Sequence, residues 1–296
     1  MKYVLVTGAA GLIGSRLCEK LSSKDYFIVA LDRHDTPPLG LPYNTWVARD
    51  LAEPLDHSVL PERVDVIVHL AQSLRFREFP DGARDVFAVN TMSTLDLLEY
   101  GRKAGTRQFI LASSGGVYGS GDRPFSETDT VIPSESYSVY QTSKLAAELL
   151  VDAYSQFFVA AKLRFFFVYG PGQHDDMLIP RIAGFVAGGS PVHLDGEEGM
   201  KINPVYVDDA AAAVERAIES DAGGTFNIGG REVLSIRRIG EILGELFGKR
   251  PVFEHQPDAH PRNLVGDITK MSMQLIAPRI SFRTGIEKTF TSLMKG

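Results

Sequence analysis

The sequence predicts an α/β protein: a doubly wound parallel sheet with helices on both faces and a smaller, discontinuous C-terminal unit. Three observations predict it. Short apolar runs alternate with longer amphipathic ones through the first half, a glycine-spaced turn joins the first run to the first helix, and the composition shifts after residue 168. Strands alternating with helices build right-handed crossovers and hence parallel pairing.

The segments Tyr3–Val6, Phe27–Leu31, Thr45–Ala48, Val64–Leu70 and Gln108–Ala112 read as strands rich in Val, Ile, Leu and Phe. Their apolar residues run on without alternation, which means burial on both faces. Ala83–Lys103 has a helical pattern, with Val86, Phe87, Val89, Leu95, Leu97 and Leu98 as its apolar positions, and Tyr137–Tyr154 reads as a second helix. A strand over Val159–Val168 precedes the compositional shift. Beyond it, Gly170–Gly172 and Gly184–Gly199 are glycine-rich and polar, with short ordered pieces between them. Val205–Val207 with Asp208–Ser220 reads as a strand and helix rejoining the sheet; Ser235–Lys249 and Thr284–Lys295 are later amphipathic helices. The expected division is residues 1–168 with about 203–229 in the first unit, and 169–202 with 230–296 in the second.

At 296 residues, with 44% hydrophobic and 23% charged, the chain has the composition of a globular protein with a large core. Its 31 basic and 37 acidic residues give a net charge of -6, which repels phosphate backbones and makes nucleic acid an unfavourable partner. Cys18 is the one cysteine, so no internal disulfide forms; its place in a helix pattern points to core packing. The apolar start reaches a glycine loop too early for a signal-peptide core or a membrane span. The expectation is a cytoplasmic protein without membrane association.

Gly8, Gly11 and Gly14 fall between the first strand and the first helix. In a dinucleotide site, the first glycine permits a tight turn, the second lets backbone approach a pyrophosphate and the third lets the helix pack on the strand. The helix N-terminus then offers free N–H groups to the phosphates. Asp32 ends the second strand, where a carboxylate accepts the adenosine ribose hydroxyls. It would repel a 2′-phosphate by about 4 kcal/mol at an effective dielectric of about 20. Asp32 therefore favours NAD over NADP, although Arg33 beside it can pair with such a phosphate or stack on adenine.

With further marks added, the chain resembles the extended short-chain dehydrogenase/reductase family, the group of NAD-dependent sugar epimerases and dehydratases, almost end to end. Those marks are Asp50 and Leu51, His69 to Ala71, Asn90, the Ser113, Ser114 to Gly119 stretch, Tyr140 and Lys144, Leu163 and Arg164, Tyr169 to Pro171, Tyr206 to Asp209 and Asn227 to Gly229. The resemblance implies a Rossmann-type fold in which Leu12 and Ile13 lie in the cofactor turn and Asp50 and Leu51 meet the adenine. It also implies that Leu70, Ala71 and Gln72 line the cofactor and that Asn90 and Phe166 flank the nicotinamide. His69 reads instead as a packed, hydrogen-bonded strand residue. The helices over Ala83–Lys103 and Tyr137–Tyr154 would pair with their copies in a homodimer.

Tyr140 and Lys144 are four apart on a helix, hence on one face. A phenol is a weak base at neutral pH, with a reference pKa of about 10. A nearby ammonium and an oxidised nicotinamide would favour its phenolate. Tyr140 can then take a proton from a substrate alcohol as hydride leaves its carbon. By the resemblance Lys144 also bonds the nicotinamide ribose, and Ser114 hydrogen-bonds the reacting oxygen. A dinucleotide-binding sensor on this fold would dispense with the tyrosine; here Ser114, Tyr140 and Lys144 are all present.

Family dehydratases and decarboxylases carry acids just after the catalytic serine or threonine, whereas this chain has Gly115 and Gly116. An epimerase and a simple reductase or dehydrogenase remain, and both need the same three residues. On the substrate side Phe167 stands where nucleotide-sugar members have asparagine, and Ile202 where they carry arginine. Arg181, Lys201 and Arg262 are candidates to reach the same phosphate oxygens, and Arg75 and Arg77 to supply anion contacts from the loop after the fourth strand. The leading expectation is a nucleotide-sugar epimerase holding NAD, without a metal; the alternative is an NAD(P)-dependent reductase or dehydrogenase of a sugar derivative or other small carbonyl compound.

Overall fold

The computed structural model describes residues 1–133 and 137–291. The first half runs β1 (Lys2–Thr7), α1 (Leu12–Ser22), β2 (Tyr26–Asp32), β3 (Thr45–Ala48), β4 (Val66–His69), α2 (Ala83–Phe87), α3 (Ser93–Ala104), β5 (Gln108–Ser114), α4 (Val139–Ala153) and β6 (Val159–Phe165). The second runs β7 (Val168–Tyr169), α5 (Leu178–Gly188), β8 (Pro191–Asp195), β9 (Lys201–Ile202), β10 (Val205–Tyr206), α6 (Val207–Glu219) and β11 (Gly224–Ile228). It ends with β12 (Leu234–Ser235), α7 (Ile236–Phe247), β13 (Val252–Gln256), α8 (Thr269–Gln274) and α9 (Phe282–Thr289).

Among the described residues, seven strands form one sheet in the order β3-β2-β1-β4-β5-β6-β11, every neighbouring pair parallel. This is the doubly wound Rossmann arrangement, with chain order reversing between β1 and β4. Alternate residues of each strand feed opposite cores. Val4, Val6, Ile28, Val66 and Ile110 pack with Leu17, Cys18 and Leu21 of α1 and with Val214, Ala217 and Ile218 of α6. Leu5, Val29, Ile67 and Phe109 pack with Leu97 and Leu98 of α3 and with Ala147 and Val151 of α4. Cys18 lies in the first core, where burial pushes its thiol up to about 12. A third core gathers Ile179, Ile182 and Val186 of α5, Ile239, Ile242 and Leu243 of α7, and Phe282 and Ile286 of α9.

Several expectations are corrected. The strand read over Val159–Val168 stops at Phe165, because Phe167 adopts a left-handed φ of 48° that turns the chain off the strand line. Val205–Val207 does not rejoin the main sheet: Val205 and Tyr206 pair with Val168 and Tyr169 in a separate ribbon, and β11 is the seventh strand. The helix over Ala83–Lys103 is interrupted by a π-helical turn at Ala88–Met92. Of the terminal helix read over Thr284–Lys295, Phe282–Thr289 is helical, and 292–295 lie outside the described residues. The glycine-rich stretch from Gly184 also begins inside a regular helix, α5.

Candidate active site

The turn after β1 is shaped by contacts too close for side chains. Gly8 has φ 66°, and a Cβ on it would lie 2.9 Å from the Ala71 backbone. A Cβ on Gly14 would lie 2.1 Å from the Gly8 carbonyl oxygen, so only glycine lets α1 seat this close to the strand end. Gly11 is the N-cap of α1 and brings no side-chain cap, and the first turn holds no acid. The helix N–H groups are therefore left for a ligand. This cradle fits a dinucleotide pyrophosphate. Leu12 and Ile13 are partly buried and pack toward the third core.

Asp32 is buried at the end of β2. Its carboxylate accepts from the Ala10 N–H at 2.9 Å and meets His34 Nδ1 at 2.6 Å. The His34 contact was not foreseen from sequence. Arg33 is exposed beside it. Asp50 is exposed and caps its own turn by accepting from the Ala52 N–H at 2.9 Å, whereas the Leu51 side chain is buried in the second core. Leu70 and Ala71 are partly buried next to Gly8, both tied to Thr7 through their N–H groups. His69 is buried, with Nδ1 2.7 Å from the Thr7 hydroxyl and Nε2 3.1 Å from that of Ser93. Burial, with Lys144 nearby, pushes it down to about 3, the behaviour of a packed neutral ring.

Ser114 ends β5 and Tyr140 opens α4, and a chain of local bonds aligns them. Ser138 caps α4 by accepting from the Gln141 N–H, and the Gln141 side chain closes a capping box. The same amide donates through Nε2 to the Gly116 carbonyl at 2.8 Å. Ser114 Oγ in turn accepts from the Gly116 N–H at 3.0 Å. The Tyr140 hydroxyl donates to Gln72 Oε1 at 3.1 Å, and the Phe76 ring stands 5.4 Å from the Tyr140 ring. Lys144 is buried one turn on, its Nζ donating to the Ala112 carbonyl at 2.9 Å and lying 6.0 Å from the Tyr140 ring centroid.

The electrostatics differ from the sequence expectation in one respect. Burial pushes the Tyr140 phenol up from its ordinary value, and the group opposing this is the Ser114 hydroxyl rather than Lys144. Burial also pushes Lys144 down to about 8, against the pull of Glu148. Glu148 continues the face of Tyr140 and Lys144 by one more turn. It is clasped by Arg164 at 2.9 and 2.6 Å and by the Ser113 hydroxyl, and Arg164 lies over the Tyr118 ring at 4.5 Å. The spacing of Tyr140, Lys144 and Glu148 was the available sequence signal for this buried pair.

Asn90 sits in the π-helical turn. It accepts from the Ser73 N–H at 3.0 Å and donates to Ser143 Oγ at 2.9 Å, pinning the loop after β4 to α4. The Phe166 ring is fully buried; a Cβ on Gly115 or on Gly266 would each come within 2.6 Å of it. The ring is thus packed between Gly115 and Gly266, closed off from solvent.

The substrate candidates are scattered. Arg75 pairs with Glu78 of its own loop at 2.7 Å. Arg77 lies over Phe76 at 5.1 Å and reaches Asp176 at 3.2 Å, bridging the loop after β4 to the loop before α5. Arg181, Lys201 and Arg262 are exposed and enter no ion pair among the described residues. Lys201 is joined to the segment around Arg262 by its N–H, which donates to Asn263 Oδ1 at 2.8 Å. Phe167 is partly buried against the third core. Ile202 is fully buried there, so its side chain packs and does not face a ligand. Among the described residues no group of three or more His, Cys, Asp or Glu side chains is placed to hold a metal ion, and no helix is long and apolar enough to cross a membrane.

Comparison with known proteins supplies the family. The model of the NAD dependent epimerase/dehydratase family matches residues 4–229. The uncharacterized UDP-glucose epimerase YtcB of Bacillus subtilis is 30% identical, over 96% of this chain and 95% of its own. The UDP-glucuronate 4-epimerase of Thermodesulfobacterium geofontis is 28% identical, over 98% and 95%. A crystal structure of the UDP-glucuronic acid 4-epimerase of Bacillus cereus, in complex with UDP-glucuronic acid and NAD, superposes with a TM-score of 0.86 at 30% identity, covering 99% of both chains. The chain belongs to the NAD-dependent epimerase/dehydratase family.

Proposed function

We propose that this chain is an NAD-dependent nucleotide-sugar epimerase acting by transient oxidation, with Tyr140 as acid and base. The observation that carries the reading is that Ser114 at the end of β5 and Tyr140 in the first turn of α4 are linked through Gly116 and Gln141 at the carboxyl end of the sheet, with Lys144 buried one turn away. NAD, when bound, supplies the hydride acceptor and donor. Gly8, Gly11 and Gly14 with the start of α1 would hold its pyrophosphate, and Asp32 its adenosine ribose. Asp32 favours NAD over NADP. Tyr140 removes the proton of the substrate hydroxyl and later returns it; Ser114 holds the same oxygen as its charge changes.

Elimination chemistry is disfavoured at this site. An acid at position 115 would need a Cβ where the Phe166 ring already stands. Arg77, Lys201 and Arg262 are the cations proposed to meet the anionic substrate, and Arg75 and Arg181 the outer ones. The named activities of the relatives make UDP-glucuronate the first substrate to try. NAD-loaded protein, incubated with it and followed by NMR, should form the C4 epimer without added cofactor and without net NADH. Stoichiometric NADH consumption by a keto-sugar, with no interconversion of epimers, would establish the reductase alternative instead.

The proposal extends to organisation. The third core supports a substrate unit of residues 169–202 and 230–296 beside a cofactor unit of 1–168 and about 203–229. Phe87, Met92 and Leu149 are exposed on the helices expected to pair, which supports a homodimer. The lone buried Cys18 suits a reducing, cytoplasmic setting.

A further inference from the structure

Gln72 leaves the sheet just past β4 and is fixed on both sides. Before it, the Ala71 N–H donates to Thr7 Oγ1 at 3.2 Å. After it, the Ser73 N–H donates to Asn90 Oδ1 at 3.0 Å, and the Ser73 hydroxyl bonds the Asp85 carboxylate. Between these anchors the Gln72 side chain is partly buried, and its Oε1 accepts the Tyr140 hydroxyl proton at 3.1 Å. Phe76, from the same loop, stands against the Tyr140 ring. The contact is therefore built by the loop rather than made by a stray surface chain.

The chemistry of the amide suits this position. A phenol donates one hydrogen bond, whereas a phenolate only accepts. A side-chain amide carries an acceptor and a donor on one rotatable group, so it serves either state without changing its own charge. We propose that Gln72 is a catalytic partner of the Tyr140 hydroxyl: its oxygen accepts from the phenol and, after a half-turn of the amide, its NH2 donates to the phenolate. This rests on the reading of Tyr140 as acid and base. In the forward step the substrate O–H bond breaks and a Tyr140 O–H bond forms, while the carbon's hydride passes to NAD. Gln72 exchanges no atom and turns with the proton.

The test is a pH titration of Tyr140 in NAD-loaded protein, read as the ultraviolet difference between each form and its Tyr140→Phe counterpart. Gln72→Met should raise the midpoint by about half a pH unit, because a charge-assisted bond to the phenolate is stronger than the neutral bond lost from the phenol. Gln72→Glu should raise it by about one unit or more, because a carboxylate opposes the phenolate. A Gln72→Met midpoint at or below the wild-type value would show that Gln72 only accepts, and an unmoved Gln72→Glu midpoint would show no contact; either overturns the proposal. Altered NAD retention with both midpoints unmoved would reduce Gln72 to a loop residue. Should Tyr140→Phe keep full turnover, the acid/base reading itself falls and this role with it. An inactive Tyr140→Phe with unmoved Gln72 midpoints sinks the Gln72 role alone.

Discussion

The two sides of the site are built by different means. On the cofactor side, the turn from Gly8 to Gly14 is defined by backbone packed against backbone, with no room for a Cβ at Gly8 or Gly14. On the substrate side, the candidates Arg77, Arg181, Lys201 and Arg262 are exposed side chains on separate elements, and Gly184 of α5 has nothing within 4 Å of where its Cβ would be. The lesson is one of tolerance. A surface made of backbone admits one ligand shape, whereas a surface made of long polar side chains can change its ligand without disturbing the fold.

Gly14→Ala puts that contrast to its hardest test. Overpacking against the Gly8 carbonyl should cost about 3 kcal/mol of stability and, separately, at least about 100-fold in NAD affinity. Gly184→Ala should leave both unchanged or raise stability slightly. Equal behaviour of the two variants in melting and NAD-binding assays would erase the distinction.

The buried pair joining α4 to β6 comes next. Glu148→Ala leaves Arg164 charged and unpartnered, at a cost of about 3–5 kcal/mol in urea denaturation. Replacing both, Glu148→Leu with Arg164→Met, should recover most of that loss. Without Glu148 to support its charge, Lys144 should also release its proton below about 8, moving the alkaline limb of any pH profile downward. A full-sized loss in the double variant would show that the pair does more than satisfy itself.

His69 gives the cofactor side a pH signature. Its folded value is pushed down to about 3 from 6.5, so the unfolded chain takes up the proton first as pH falls. Stability is therefore full above about pH 6.5 and declines below it, by about 3 kcal/mol at pH 4. Denaturation of wild type and His69→Asn across this range should show a flatter slope in the variant. The smallest loss of folding stability belongs to Arg77→Ala. Its partner Asp176 is about half exposed, so the lost pair should cost under about 1 kcal/mol, while the KM for a nucleotide sugar rises about tenfold. A stability loss as large as that of Glu148→Ala would mean that the mouth, too, is structural.

What the sequence revealed follows the same divide. The glycine turn, Asp32 and the Tyr140 and Lys144 pair were legible because each depends on spacing within one strand, turn or helix. The bond from Tyr140 to Gln72 joins residues 68 apart and the bond from Asn90 to Ser143 residues 53 apart, so neither leaves a local signal. Phe167 was illegible for another reason: a left-handed backbone is rare for an aromatic residue, and nothing in its neighbours marked the break in the strand. Ile202 looks in sequence like a missing phosphate contact, yet its side chain belongs to a core whose members come from eight elements.

Gln141 holds a helix cap with one end of its amide and the turn beyond Ser114 with the other. The Ser114 and Tyr140 hydroxyls, which the proposed mechanism brings to a single oxygen, are thus brought into line by one side chain that touches neither. The disorder given up in aligning them is surrendered once, when the chain folds, and need not be surrendered again at each turnover. Speed at this corner is accordingly a property of the folded protein before any sugar arrives.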